Sequence, residues 1–166
     1  MTARAFALTY DYLCPFARIA NETVVGALRT GAEWQVTFLP FSLAEAHIDD
    51  GAPSVWDRDF DEEGMRGVRA LAWSLAVRET FPDSFLDFHL ELFSARHDRA
   101  ADVDSLDTLP RVATTAGLDP DAIAAVVATG KPLAALADEH TNAVDRWSVF
   151  GVPTFIAGDE AVFVRF

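Results

Sequence analysis

The chain has 166 residues, 51% of them hydrophobic, which suits one domain built on a single sizeable core. Its 26 acidic and 13 basic residues leave a net charge of −13, so no general positive field exists to recruit nucleic acid or an anionic membrane. A single cysteine excludes an internal disulfide framework and a cysteine-rich zinc site, and no apolar run approaches the ~20 residues of a membrane span.

Met1-Thr2-Ala3-Arg4-Ala5 leads straight into an apolar stretch, without the ~7–15-residue hydrophobic region of a secretion signal, and a cytoplasmic, reducing location is expected. Phe6 to Tyr10 reads as a short buried strand. It runs into Tyr10-Asp11-Tyr12-Leu13-Cys14-Pro15-Phe16-Ala17, where Pro15 suits a first helical position because its missing N–H is one a helix could not pair there. Cys14 is therefore expected at or just before a helix N-terminus. Unpaired N–H groups and the peptide dipoles favour an anion at such a place, lowering a thiol from the ~8.5 of a free cysteine toward ~3.5–7.5. A lone cysteine is by default a small buried hydrophobe. Its placement between a strand and a helix argues for a thiolate nucleophile instead.

Ile19, Ala20, Thr23, Val24, Ala27 and Leu28 continue that helix to about Thr30, with Gly31 as its cap. Glu33 to Phe41 reads as a second strand, completing a βαβ unit whose strands should be parallel. Ser42 to His47 suits a short helical turn and the stretch to about residue 60 a connection, with His47 a solvated loop histidine. From Asp61 to Pro132 only helices are expected. Met65, Val68, Leu71, Ala72, Leu75 and Ala76 form one apolar stripe, and Phe85, Phe88, His89, Leu92 and Phe93 another, so His89 reads as a packed histidine. Asp98 to Asp104 is a polar hinge; a third helix runs from about Leu106 to Ala116, with its start left open by Pro110, and a fourth from Asp121 to Thr129. A long helix follows from Pro132 to about Val149, and Phe150-Gly151-Val152-Pro153-Thr154-Phe155-Ile156-Ala157 opens a hairpin turning at Gly158-Asp159. Val162, Phe163, Val164 and Phe166 put apolar side chains on both faces of the last strand. Either further residues or a partner subunit, as in a homodimer, is expected to cover them.

Around Cys14, Tyr12 and Arg18 are candidate donors to a bound thiol or its carboxylate, with core packing and a solvated arginine as the alternatives. Asp11 is expected to be solvated or to cap, since a buried carboxylate would oppose a thiolate. Phe16 should form an apolar rim. His47, His89, His97 and His140 lack a paired spacing on one helical face, so no metal site is expected.

Cys14-Pro15-Phe16-Ala17 at a helix start, an all-helical insertion, and Val152-Pro153-Thr154 before a hairpin together resemble the DsbA-like branch of the thioredoxin superfamily, over nearly the whole chain. The resemblance implies an α/β, thioredoxin-like fold in one domain, with thioredoxin-like parts at 1–45 and 132–166 and a helical insertion at 60–131. It implies thiol-disulfide oxidoreductase chemistry at Cys14, a cis bond before Pro153, and substrate binding by Val152, Pro153 and Thr154, with Val152 free to pair like an added strand. The dithiol members carry a second cysteine where this chain has Ala17, so a mixed disulfide on Cys14 has no internal resolving thiol. What remains is a monothiol route with no tightly bound cofactor. Its partners would be a protein mixed disulfide and a low-molecular-weight thiol such as glutathione or mycothiol. Two alternatives stay open: a thiol-dependent transferase or isomerase, like the related 2-hydroxychromene-2-carboxylate isomerases and kappa-class glutathione transferases, and a redox-inactive binding module.

Overall fold

The computed structural model describes residues 3–59 and 65–165. Strand β1 (Arg4–Tyr10) and strand β2 (Trp34–Pro40) pair in parallel, from Arg4 opposite Trp34 to Tyr10 opposite Pro40, with helix α1 (Pro15–Arg29) as the crossover. Strand β3 (Thr154–Ala157) lies antiparallel to β1 on its other side, and strand β4 (Glu160–Phe163) closes the hairpin, giving the order β2-β1-β3-β4. Because β1 and β3 run in opposite directions side by side, the exit of β1 and the entrance to β3 share one end of the sheet. That geometry brings Cys14 and Val152-Pro153 together from opposite ends of the chain. Val162 on the edge strand β4 is exposed, as is Phe150, whose ring packs on Phe163.

A four-residue helix α2 (Leu43–Ala46) follows β2, and the insertion holds α3 (Val68–Thr80), α4 (Phe85–His97), α5 (Thr108–Thr115) and α6 (Pro120–Ala128), before the long α7 (Lys131–Trp147). Pro110 falls at the third position of α5, where a helix has no partner for an N–H in any case. The start expected at Asp61 lies outside the described residues. Helix α3 departs from the single apolar stripe expected of it: every residue from Val68 to Val77 is buried, Arg69 and Ser74 included. The cause is tertiary, since α4, α6 and α7 all pack on it.

A buried polar chain ties this insertion to the helix that begins at Cys14. Asn21 donates its amide N–H to the Ala17 carbonyl at 2.8 Å, so its Oδ1 accepts from His89 Nε2–H at 2.9 Å, and His89 Nδ1 must then accept from the Tyr12 hydroxyl at 2.8 Å. The rings of Tyr10, Phe38, Phe85 and Phe93 enclose the imidazole, and burial pushes its pKa down to about 3. An unfolded histidine takes its proton near pH 6.5, so across that window the unfolded chain binds more protons. Stability from His89 is thus complete above pH 6.5 and is lost as the pH falls toward 3. The loss is on the order of 4–5 kcal/mol at ~1.4 kcal/mol per pH unit. Urea midpoints measured from pH 7 down to 4 should fall, and His89→Gln should flatten that slope.

Candidate active site

Cys14 is the N-cap of α1, in extended backbone (φ −93°, ψ 117°) with Pro15 at the first helical position, as its neighbours in sequence dictate. Its half-buried Sγ accepts the Ala17 N–H at 3.4 Å and faces the Val152 carbonyl oxygen at 3.5 Å, close enough for a thiol proton to be donated there. The peptide between Val152 and Pro153 is cis. Val152 N–H has no hydrogen-bond partner among the described residues, which leaves a backbone edge beside the sulfur that a partner chain could pair with.

The turn that presents Cys14 is fastened at four points. Cys14 N–H reaches the Asp11 carbonyl at 3.1 Å, and His97 Nε2–H donates to the Tyr12 carbonyl at 2.8 Å. Asp11 Oδ1 accepts from Leu13 N–H at 2.9 Å and Oδ2 from Leu43 N–H at 2.8 Å, so one carboxylate clamps the cysteine turn to the start of α2. Its environment is a correction to the expected solvated aspartate: Asp11 does cap, but it is fully buried. Burial raises its pKa to about 6, with Asp104 adding to the shift and the two backbone N–H bonds opposing it. The insertion supplies the lid. A Cβ at Gly67, which has φ +90°, would stand 3.2 Å from Asp11 Oδ1 and 3.1 Å from Leu13, so the backbone approaches this closely only as glycine.

Three residues expected to bind substrate have their polar groups engaged elsewhere. The Tyr12 hydroxyl lies in the core on His89, too deep to serve a ligand at Cys14. Arg18 is engaged by carboxylates: Asp98 grips its guanidinium through both oxygens at 2.7 and 2.8 Å, and Glu22 takes its Nε–H at 2.7 Å. Those carboxylates, Asp98 foremost, hold its pKa above the ordinary arginine value. Thr154 is buried, its N–H on Thr9 Oγ1 at 2.7 Å and its hydroxyl on the Gly151 carbonyl at 2.7 Å, so it shapes the loop carrying Pro153. Phe16 does stand exposed at the helix start, with Ile19 one turn on and Phe150 beside the loop. Phe150 and Ile19 carried no signal as rim residues in sequence, since apolar residues at those places read equally well as core. Asp11 did carry one: an aspartate two residues before an N–H in a tight turn is the pattern of an Asx turn.

Among solved structures the chain superposes on 2-hydroxychromene-2-carboxylate isomerase with a TM-score of 0.72 at 19% identity, covering 96% of this chain and 88% of that one. A protein disulfide isomerase assigned only provisionally, from Nitrosomonas europaea, gives 0.72 at 15% identity, covering 99% and 90%. A thioredoxin-like oxidoreductase from Silicibacter pomeroyi DSS-3 gives 0.68 at 20%, covering 96% and 78%. These likenesses establish a shared fold. A search of curated proteins finds no match. The sequence itself matches a family description from residue 7 to residue 165, a span that holds both the Cys14 turn and the Val152-Pro153 loop. On that match, and with the fold just described, the chain belongs to the DSBA-like thioredoxin domain family.

Proposed function

We propose that this protein is a thiol-disulfide oxidoreductase that works by a monothiol cycle through Cys14. The observation that carries the reading is the sulfur's setting: half-exposed, at a helix N-terminus, beside the Val152 carbonyl and the cis Pro153. A thiolate there meets the Ala17 N–H and the positive end of α1, and an incoming disulfide can lie along the Val152 backbone. In the first step Cys14 attacks the small-thiol sulfur of a protein mixed disulfide; the S–S bond breaks, the protein leaves as its thiol, and Cys14 keeps the small thiol as a new disulfide. A second molecule of small thiol then attacks that disulfide at the small-thiol sulfur, releasing the symmetrical small disulfide and restoring Cys14. No second cysteine is required, which suits a chain with Ala17 one turn on and a single thiol in its sequence. Such a cycle needs a pool of reduced small thiol, as a reducing compartment supplies.

The test is release of a protein thiol from a defined mixed disulfide, with and without added small thiol, followed by intact mass. The expected result is a Cys14 adduct when small thiol is withheld, turnover only when it is present, and loss of both in Cys14→Ala. A Cys14→Ala variant that turned over at the parent rate would overturn the proposal.

A further inference from the structure

At the start of the loop that carries Val152 lies a cleft of about 430 Å³ that the monothiol cycle leaves unused. Phe41, Trp56 and Phe150 give it aromatic walls, Glu45 and Asp145 give it carboxylates, and His140 forms part of its lining. Phe150 is two residues from Val152, so the cleft begins roughly 6–7 Å along the chain from the carbonyl that faces Cys14 Sγ.

His140 is the informative member. It is 95% buried, stacked on Phe41 with ring centres 4.2 Å apart and touched by the edge of Trp56. Its Nδ1 accepts the Ser42 backbone N–H at 3.1 Å, which fixes the proton on Nε2. Burial holds the ring neutral, its pKa pushed down to about 4. The Nε2–H donor has no partner among the described residues. The atom is not sealed from solvent, so it opens on the cleft, where an arriving acceptor can take the N–H in place of water.

The remaining polar groups restrict what that acceptor belongs to. Glu45 is set in place by Ser54 Oγ–H and Val55 N–H, both at 2.8 Å, and Asp145 has no cationic partner among the described residues. Among the described residues no lysine or arginine lines the cleft. Arg18, the cation nearest Cys14 in sequence, is taken by Asp98 and Glu22. Glutathione, with two carboxylates and one ammonium, would bring a net negative charge against Glu45 and Asp145, and its second carboxylate would find no cation in the lining. An ammonium would suit the carboxylates yet leave the imidazole N–H unanswered. A hydroxyl serves both, donating to Glu45 or Asp145 and accepting from His140, while the C–H face of a sugar ring packs on indole and phenyl rings.

Resting on the monothiol reading, we propose that this cleft recognises the non-thiol portion of the small-thiol substrate and that this portion is an uncharged polyol. Cys14 then takes a sugar-bearing thiol in preference to an anionic peptide thiol.

Binding can be separated from exchange by titrating unreactive S-methyl derivatives into Cys14→Ala protein by calorimetry. S-methyl mycothiol is expected to bind at least about 10-fold more tightly than S-methylglutathione or S-methyl-N-acetylcysteamine, the last being neutral but without a polyol. Trp56→Ala should lower the ratio of mycothiol to N-acetylcysteamine affinity about 10-fold, and Asp145→Lys should narrow the gap to glutathione. Asp145 stands near the end of an exposed helix face, so that variant carries the test should Trp56→Ala fail to fold. Equal binding of all three thioethers, tighter binding of S-methylglutathione or S-methyl-N-acetylcysteamine than of S-methyl mycothiol, or no effect of Asp145→Lys on the glutathione gap would overturn the inference. Failure of Cys14 to exchange any disulfide would refute the monothiol cycle, while the calorimetry would still decide the cleft.

Discussion

Asp11→Ala is expected to weaken the protein most at acid pH and least at neutral pH, the reverse of the trend expected from its buried histidines. The substitution strands two N–H groups, those of Leu13 and Leu43, in a place without solvent, at ~1–3 kcal/mol each. Against that, the carboxylate is itself costly to ionise where it sits. Its pKa is raised from 3.8 to about 6, so between those values the folded protein binds more protons than the unfolded chain. Stability from Asp11 is therefore fully present below pH 3.8 and declines as the pH rises through about 6, by on the order of 3 kcal/mol. At pH 7 the two terms nearly offset. The stability difference between parent and Asp11→Ala, from urea unfolding at pH 4 and pH 7, should shrink by that amount on going to the higher pH. A difference independent of pH would mean that the carboxylate is hydrated in solution. The function of the clamp is separable from its stability. Even where the folded fraction is unchanged, alkylation of Cys14 in Asp11→Ala should change in rate, because Leu13 and the turn before the cysteine lose their anchor to α2.

The elements legible in sequence were those with local causes. Pro15 after Cys14 and Gly31 after the first helix set α1 to within one or two residues, and Gly158-Asp159 between two apolar runs set the hairpin's turn, though not the outer ends of its strands. The parallel β1–β2 pair followed from chain length and crossover alone. Long-range causes were not legible. Arg18 reads as a solvated arginine or a cation able to serve the sulfur, and only the fold brings Asp98, eighty residues on, within 2.7 Å of it. Asp11 reads as solvated or capping, and while the Asx-turn pattern points to the cap, nothing near it in sequence announces that Gly67 will cover it and that Leu43 will need an acceptor. The buried ring of α3 is of the same kind, since an amphipathic stripe shows one neighbour and this helix has three. The cleft beside Phe150 is assembled from residues 41–56 and 140–150, so no single stretch carries its pattern.

Ala17→Cys should convert the monothiol site into a dithiol one. Ala17 is the third residue of α1, and its N–H already touches Cys14 Sγ at 3.4 Å, so a side-chain sulfur placed there lies one turn along the same face, within the span a disulfide needs. The obstacle is volume. Ala17 is fully buried, where an extra heavy atom costs ~1–3 kcal/mol if its neighbours cannot yield. Closing a bond to Cys14 draws the new sulfur out of that packing, so the oxidised form should recover part of the loss and melt above the reduced form. Mild oxidant is expected to remove two hydrogens from the variant by intact mass and to leave the parent without an internal bridge. In its reduced form the variant should release both the protein thiol and the small thiol from a mixed disulfide without added small thiol, ending as its internal disulfide, whereas the parent stops at the Cys14 adduct. A variant that forms the bridge yet acts on small disulfides alone would show that the edge at Val152 does not accept a protein chain, and would move the assignment toward a small-molecule transferase. A variant that never forms the bridge would contradict the placement of Cys14 at the helix start, and with it the role given to the Ala17 N–H.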